Sequence, residues 1–181
     1  IIRQTHQLLQ VIDNILTTAR VQSKTVDPDI EQHLIVDLME RLLKKGQDLL
    51  ERTKKDGIAL KVVATKDLGT MRTDRKLLLY MFHQLLDNAV KYTALGEIEV
   101  AVELEEEVVH FYVRDSGSGI TEEQQEIIFS PFRQGDEEHF NYGGLGLGLY
   151  IAREIIGLLG GTLDVMSNPG EGTTVHVVHP V

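Results

Sequence analysis

Cysteine is absent from this 181-residue chain, so neither a disulfide framework nor a thiolate metal site can form, and a reducing compartment, the cytoplasm, is expected. Cations are scarce: 18 Lys and Arg stand against 28 Asp and Glu, a formal net charge of -10. Nucleic-acid affinity comes largely from clustered Lys and Arg, so a nucleic-acid partner is not expected. No apolar run reaches the roughly 20 residues that a bilayer crossing requires. The first residues resemble the middle of a helix rather than a signal peptide, which marks the chain as an expected piece of something longer. Two common nucleotide signatures are also missing. There is no G-x-x-x-x-G-K-[ST] loop, and Glu122 stands where the third glycine of G-x-G-x-x-G would fall. No H-E-x-x-H pair or histidine cluster at ligand spacing exists, so no protein-bound zinc is expected.

What is present is enough apolar residue, 42%, for one domain with its own core. Ile1, Leu8, Ile12, Ile15 and Ala19 recur at helical spacing, widened by Leu9 and Leu16, and predict a helix with one apolar seam. That seam either docks on the rest of the domain or pairs in a coiled or bundled dimer. Asp27-Pro28 stops the pattern, because the residue before proline is pushed out of helical geometry. The division is then a helix over 1–22, a linker over 23–32 and a domain over 33–181. Leu38/Met39, Leu42/Leu43 and Leu49/Leu50 predict a helix from Val36 to Arg52, with Gly57 ending the element. Ile58, Leu60 and Val62 alternate as a strand. A second helix is expected from an N-cap at Thr73 through Lys91. Ile98, Val100, Val102 and Leu104, then Val109, Phe111 and Val113, predict two strands, each with one buried face. A helix from about Gly146 to Leu159 and strands near 162–166 and 173–178 complete the chain. The expected fold is an α/β (α+β) two-layer sandwich: a mixed, mostly antiparallel sheet, covered on one face by helices and preceded by the N-terminal helix.

Three places carry chemistry. On the second helix Gln84, Asn88 and Lys91 fall at i, i+4 and i+7, on a different face from Leu78, Phe82, Leu85 and Ala89. Asp115 leaves a strand and is followed by Ser-Gly-Ser-Gly-Ile120, so the backbone turns tightly while a carboxylate points into a cleft, where it can accept a hydrogen bond from a purine amino group. Gly143-Gly-Leu-Gly-Leu-Gly-Leu149 leads into an apolar helix, leaving backbone N-H groups and a helix start open to a phosphate chain. The polar segment from Gly135 to Tyr142 reads as a mobile lid.

In this order the motifs resemble those of histidine kinases. His83-Gln-Leu-Leu-Asp-Asn88-Ala-Val-Lys91-Tyr-Thr93 is similar to the N box, Asp115-Ser-Gly-Ser-Gly119 to the first glycine box, Ile128-Phe-Ser-Pro-Phe132 to the F box, Gly144-Leu-Gly-Leu-Gly148 to the second glycine box, and Gly170-Glu-Gly-Thr-Thr174 to the last. The resemblance implies a Bergerat ATP-binding fold in a sensor histidine kinase, with residues 1–22 the tail of a dimerisation helix. It implies ATP and Mg2+ as ligands. Asn88 would hold the metal, Lys91 and Tyr92 would lie near the phosphates, and Asp115 would read adenine with Gly117, Gly119, Ile120 and Thr173. Gly144, Leu145, Gly146, Leu147 and Gly148 would wrap the phosphates.

The reaction implied is transfer of the γ-phosphoryl group to a histidine of the dimerisation domain, with a response-regulator receiver domain downstream and a homodimer as the intact assembly. The parent protein is expected to work in the cytoplasm, with or without an anchor in the inner membrane. The acceptor histidine is not in this chain: His6 lacks the acidic context, and residues 33, 83, 110, 139, 176 and 179 read as surface, strand or helix histidines. Two departures stand out. Gln84 occupies a place that is usually asparagine, which displaces the amide by a methylene, and the F box runs Phe132-Arg133-Gln134, making Arg133 the γ-phosphate candidate. Gln84 sustains a different expectation, a degenerate kinase domain acting as a conformational module. A water-directed ATPase of the same superfamily would need a glutamate base in the N box, and neither His83 nor Gln84 is one.

Overall fold

A computed structural model describes residues 12, 14–23, 25–65, 68–131 and 146–181. The predicted lid from Gly135 to Tyr142, the F-box end at Phe132, Arg133 and Gln134, the glycine-box residues Gly143, Gly144 and Leu145, His6, and the seam residues Ile1, Leu8 and Leu9 lie outside the described residues.

The elements are α1 (residues 14–22), β1 (Glu31–Leu34), α2 (Ile35–Thr53), β2 (Ile58–Ala64), β3 (Thr70–Thr73), α3 (Arg75–Tyr92), β4 (Gly96–Glu105), β5 (Val108–Asp115), α4 (Glu122–Gln125), α5 (Gly148–Leu158), β6 (Thr162–Asn168) and β7 (Gly172–Pro180). Five strands form one sheet in the order β2-β4-β5-β7-β6. The β2-β4 pair is parallel and the other neighbours are antiparallel, the mixed, mostly antiparallel sheet expected. A two-stranded antiparallel ribbon, β1-β3, lies apart from it.

The alternation of β4 and β5 turns Ile98, Val100, Val102, Val109, Phe111 and Val113 into one core with α2, α3 and α5. Phe82 of α3 meets Phe111 of β5 edge to face, ring centroids 5.0 Å apart, an arrangement that favours aromatic pairs beyond their area burial. Helix boundaries follow side-chain chemistry. Asp74, not Thr73, caps α3, because its carboxylate accepts from the backbone N-H of Lys76 (2.8 Å) and Leu77 (3.0 Å). Thr73 instead ends β3 and bonds His179 across the domain. Helix α2 stops before Gly57, with Lys54 in the left-handed region (φ 55) and its N-H returned to Glu51 and Leu50. The next residue, Lys55, reaches the far end of α3 and donates to the carbonyls of Val90 (2.5 Å), Lys91 (3.1 Å) and Thr93 (2.7 Å). A cation thus closes the C-terminus of α3, where the helix dipole is negative.

The N-terminal helix docks by its polar side. Asn14, Thr18 and Val21 face the domain, whereas Ile12, Ile15 and Leu16 of the predicted seam are about half exposed (45%, 44% and 51%). Among the described residues, the domain does not cover this stripe.

Candidate functional site

Strand register builds one end of the site. The parity that buries Val109, Phe111 and Val113 carries on to Asp115, the last residue of β5, opposite Thr173 of β7. Burial pushes the Asp115 carboxyl above the usual range, and backbone donors at Gly117 and Thr173 oppose it. Gly117 N-H donates to Oδ1 at 2.8 Å. The turn after Asp115 is tied down on both sides. Ser118 N-H reaches the Tyr92 carbonyl at the end of α3 (3.4 Å), and Ser118 carbonyl accepts from Gly170 (2.7 Å). Gly119 has φ +69, and a Cβ there would stand 1.9 Å from the Asn168 carbonyl oxygen, so only glycine lets the turn lie against the β6-β7 hairpin.

Two residues without a sequence signal complete this end. Ser167 Oγ accepts from Ile120 N-H (2.9 Å), donates to the Gly172 carbonyl (2.7 Å) and lies 2.9 Å from Thr173 Oγ1. Gln125 of α4 donates to the carbonyls of Ile120 (3.0 Å) and Ser167 (2.8 Å). Asp115, Gly117, Gly119, Ile120 and Thr173, all predicted together, are therefore brought together around a half-buried carboxylate.

Helices build the other end. Gln84 is not on a solvated face: it is 3% exposed, and its Nε2 donates to Asn14 Oδ1 of α1 at 3.2 Å. Helix α5 starts at Gly148, with its N-cap residue Leu147 buried behind it and, among the described residues, no side-chain cap on the first turn. The start of α5 packs against the amide face of α3. A Cβ at Gly148 would stand 3.3 Å from Asn88 Nδ2, 3.5 Å from Asn88 Oδ1 and 3.5 Å from Gln84 Oε1. The N-box amides and the end of the second glycine box thus meet. Gly146, two residues earlier, has φ +65.

Charge at this end is tuned by burial. The Lys91 ammonium is held below its usual range by desolvation, with Asp87 opposing, and lies 5.2 Å from the Tyr92 ring centroid. Desolvation raises Asp87, opposed by Lys91 and Arg52, and raises Tyr92, with Asp87 adding to it. His83, next to Gln84, is lowered to about 4, first by burial and then by Lys45 and Arg52; its Nδ1 is buried and has no hydrogen-bond partner among the described residues. Arg153 of α5 lies over the Phe129 ring, 4.4 Å from its centroid, which fixes the start of the F-box segment against α5.

A half-buried carboxylate at a sheet end and carboxamides at a helix start together define a class. A family model described as histidine kinase-, DNA gyrase B-, and HSP90-like ATPase matches residues 73–181, and the chain belongs to that family. Its resemblance within the family is to sensor histidine kinases. The virulence sensor protein BvgS of Bordetella bronchiseptica is 34% identical over 178 residues, covering 94% of this chain and 14% of that protein. The sensor histidine kinase AruS of Pseudomonas aeruginosa is 34% identical over 175 residues, covering 92% and 17%. The chain thus spans less than a fifth of these two relatives. Among solved structures, full-length ShkA in complex with AMPPNP superposes with a TM-score of 0.85 over 98% of this chain and 37% of that one, at 24% identity. The Acinetobacter baumannii histidine kinase AdeS gives 0.79 over 99% and 81%, at 21% identity. These two are likenesses of fold.

Proposed function

We propose that this chain binds ATP with Mg2+ and, within its intact protein, presents the γ-phosphoryl group to a histidine of a dimerisation domain. The observation that carries the reading is the half-buried Asp115 carboxylate, pinned by Gly117 and Thr173, in a turn that Ser118 ties to the C-terminal end of α3. A carboxylate held there accepts a hydrogen bond from the exocyclic amino group of adenine, and its burial strengthens that bond. The phosphates then fall toward the first turn of α5, whose N-H groups and partial positive charge suit them, with Lys91 adding a formal charge.

Magnesium fits the donor set: the Asn88 and Gln84 amides beside Gly148 offer neutral oxygens, which would suit a hard cation. It would supply charge neutralisation there. In the transfer, a ring nitrogen of the acceptor histidine forms a bond to the γ-phosphorus as the bond to the β,γ-bridging oxygen breaks, and ADP leaves with that electron pair. The residues of this chain orient the nucleotide and exclude water; Arg133 is assigned to the γ-phosphate, and Gly144 and Leu145 to wrapping the phosphates with Gly146, Leu147 and Gly148.

The exposed Ile12, Ile15 and Leu16 stripe gives α1 a surface for a second copy, as in a helical dimerisation domain, and a receiver domain would take the phosphoryl group onward. Among the described residues no helix is long and apolar enough to cross a membrane, and the domain is assigned to the cytoplasmic side.

The test mixes the chain with γ-labelled ATP, Mg2+ and the parent's dimerisation domain carrying its acceptor histidine. Acid-labile, alkali-stable label on that histidine is the expected result. Nucleotide binding without transfer, or no binding by the folded chain, would contradict the kinase reading and favour the conformational-module reading that Gln84 sustains.

A further inference from the structure

We infer that Asn14 of α1 is a positioning residue for the phosphate end, setting which end of the Gln84 carboxamide faces Gly148 and Asn88. The inference rests on the nucleotide reading above. Asn14 Oδ1 accepts from two donors at once, Tyr80 Oη at 2.8 Å and Gln84 Nε2 at 3.2 Å, both on α3. A carbonyl oxygen has two lone pairs, so both donors are satisfied, and the phenol holds Asn14 in the accepting orientation.

With its NH2 committed to Asn14, Gln84 presents Oε1 to the start of α5. The two ends of a carboxamide are nearly the same size. Without the Asn14 acceptor, a half-turn of the terminal torsion would exchange them at little steric cost, and an N-H2 group would face the site. An oxygen accepts from metal-bound water or ligates a hard cation; an amide N-H2 does neither. The consequence is confined to the metal-dependent part of nucleotide affinity, and it is set by a helix outside the family-matched residues 73–181. The same helix is also fixed to α5, through Gln22 Nε2 donating to Tyr150 Oη at 2.8 Å. That second contact holds α1 without touching the Gln84 amide.

The experiment titrates ATP calorimetrically into the chain, with Mg2+ and again with excess EDTA, and takes the ratio of the two affinities. Asn14→Leu should lower that ratio about fivefold to tenfold, the size of one lost hydrogen-bond acceptor, with the affinity in EDTA within about twofold. Asn14→Asp, which still accepts from both donors, should keep the ratio at or above that of the unsubstituted chain. Adding Asn14→Leu to Gln84→Leu should lower it no further than Gln84→Leu alone. Gln22→Ala, which loosens α1 and leaves the acceptor in place, should leave it unchanged. An unchanged ratio in Asn14→Leu, an equal loss in both conditions, or a loss in Gln22→Ala as large as in Asn14→Leu would overturn the inference alone. If the unsubstituted chain binds nucleotide in neither condition, the inference falls together with the reading of the site.

Discussion

The two ends of the site are built from different materials. The Asp115 end is a product of the sheet: strand parity aims the carboxylate, register sets Thr173 opposite it, and Ser167, Gln125 and Gly119 lock the following turn onto the β6-β7 hairpin. The Gln84 and Asn88 end is a product of helix packing, in which α3 supplies those two amides, the appended α1 supplies Asn14, and the start of α5 packs against them at Gly148. Backbone-anchored geometry is set once the sheet forms, whereas carboxamides between helices keep the orientation that their partners impose. On the proposed reading, base recognition would be intrinsic to the domain, and phosphate and metal recognition would depend on what is docked against it.

Substitutions can separate the ends. The largest effect expected is at the sheet end. Gly119→Ala forces a Cβ into a left-handed residue and against the Asn168 carbonyl, and should lower the unfolding free energy in urea by about 3 kcal/mol or more. An unchanged urea midpoint would show that the turn is not locked as described.

Next comes acid, which acts on the helix end. The folded-state pKa of His83 is depressed to about 4, from an ordinary 6.5, so its contribution is fully present above pH 6.5 and is lost as pH falls toward 4. The loss should be about 3 kcal/mol by the bottom of that window. Thermal midpoints measured between pH 7 and 4 should fall less steeply in His83→Gln, and parallel curves would remove His83 from the account.

A smaller effect is expected at Gly148. Gly148→Ala puts a methyl between the two amides, 3.3 to 3.5 Å from them, and should weaken Mg-ATP binding about tenfold without lowering the thermal midpoint, since alanine favours the helix. The smallest is a rise in stability. Burial holds the folded-state pKa of Asp115 above its unfolded value, so whatever it contributes is present below the unfolded pKa and lost as pH rises through the folded one. At neutral pH the ionised group therefore opposes folding, and nucleotide-free Asp115→Asn should melt no lower than the unsubstituted chain; a clear drop would mean that the charge is structural.

The same division decides what was legible in the sequence. The sheet end was readable because alternation is local: the odd-numbered run Val109, Phe111, Val113 predicts the inward aim of Asp115, and the glycines after it mark the turn. Most helix pairs were readable for the same reason. The ribbon of Glu31–Leu34 and Thr70–Thr73 was missed because its strands are four residues long and carry no apolar alternation. Thr73 was expected as the α3 cap because hydroxyl and carboxylate residues are adjacent there and only tertiary packing, Thr73 against His179, chooses between them. Gln84 read as part of a polar face because helical spacing shows which residues share a side, not what covers it. The partner that buries it, Asn14, lies 70 residues earlier and leaves no periodic trace. The amphipathic stripe on α1 was recognised, but whether it faced the domain was open, and the structure turns it outward.

The central claim, that Asp115 anchors a nucleotide independently of the helix-built end, is tested most directly by calorimetric titration of ATP with Mg2+ into the unsubstituted chain and into Asp115→Asn. One site per chain, weakened about 100-fold by the substitution while the protein stays folded, is the predicted result. Equal binding by the two proteins, or none by the folded unsubstituted chain, would contradict it.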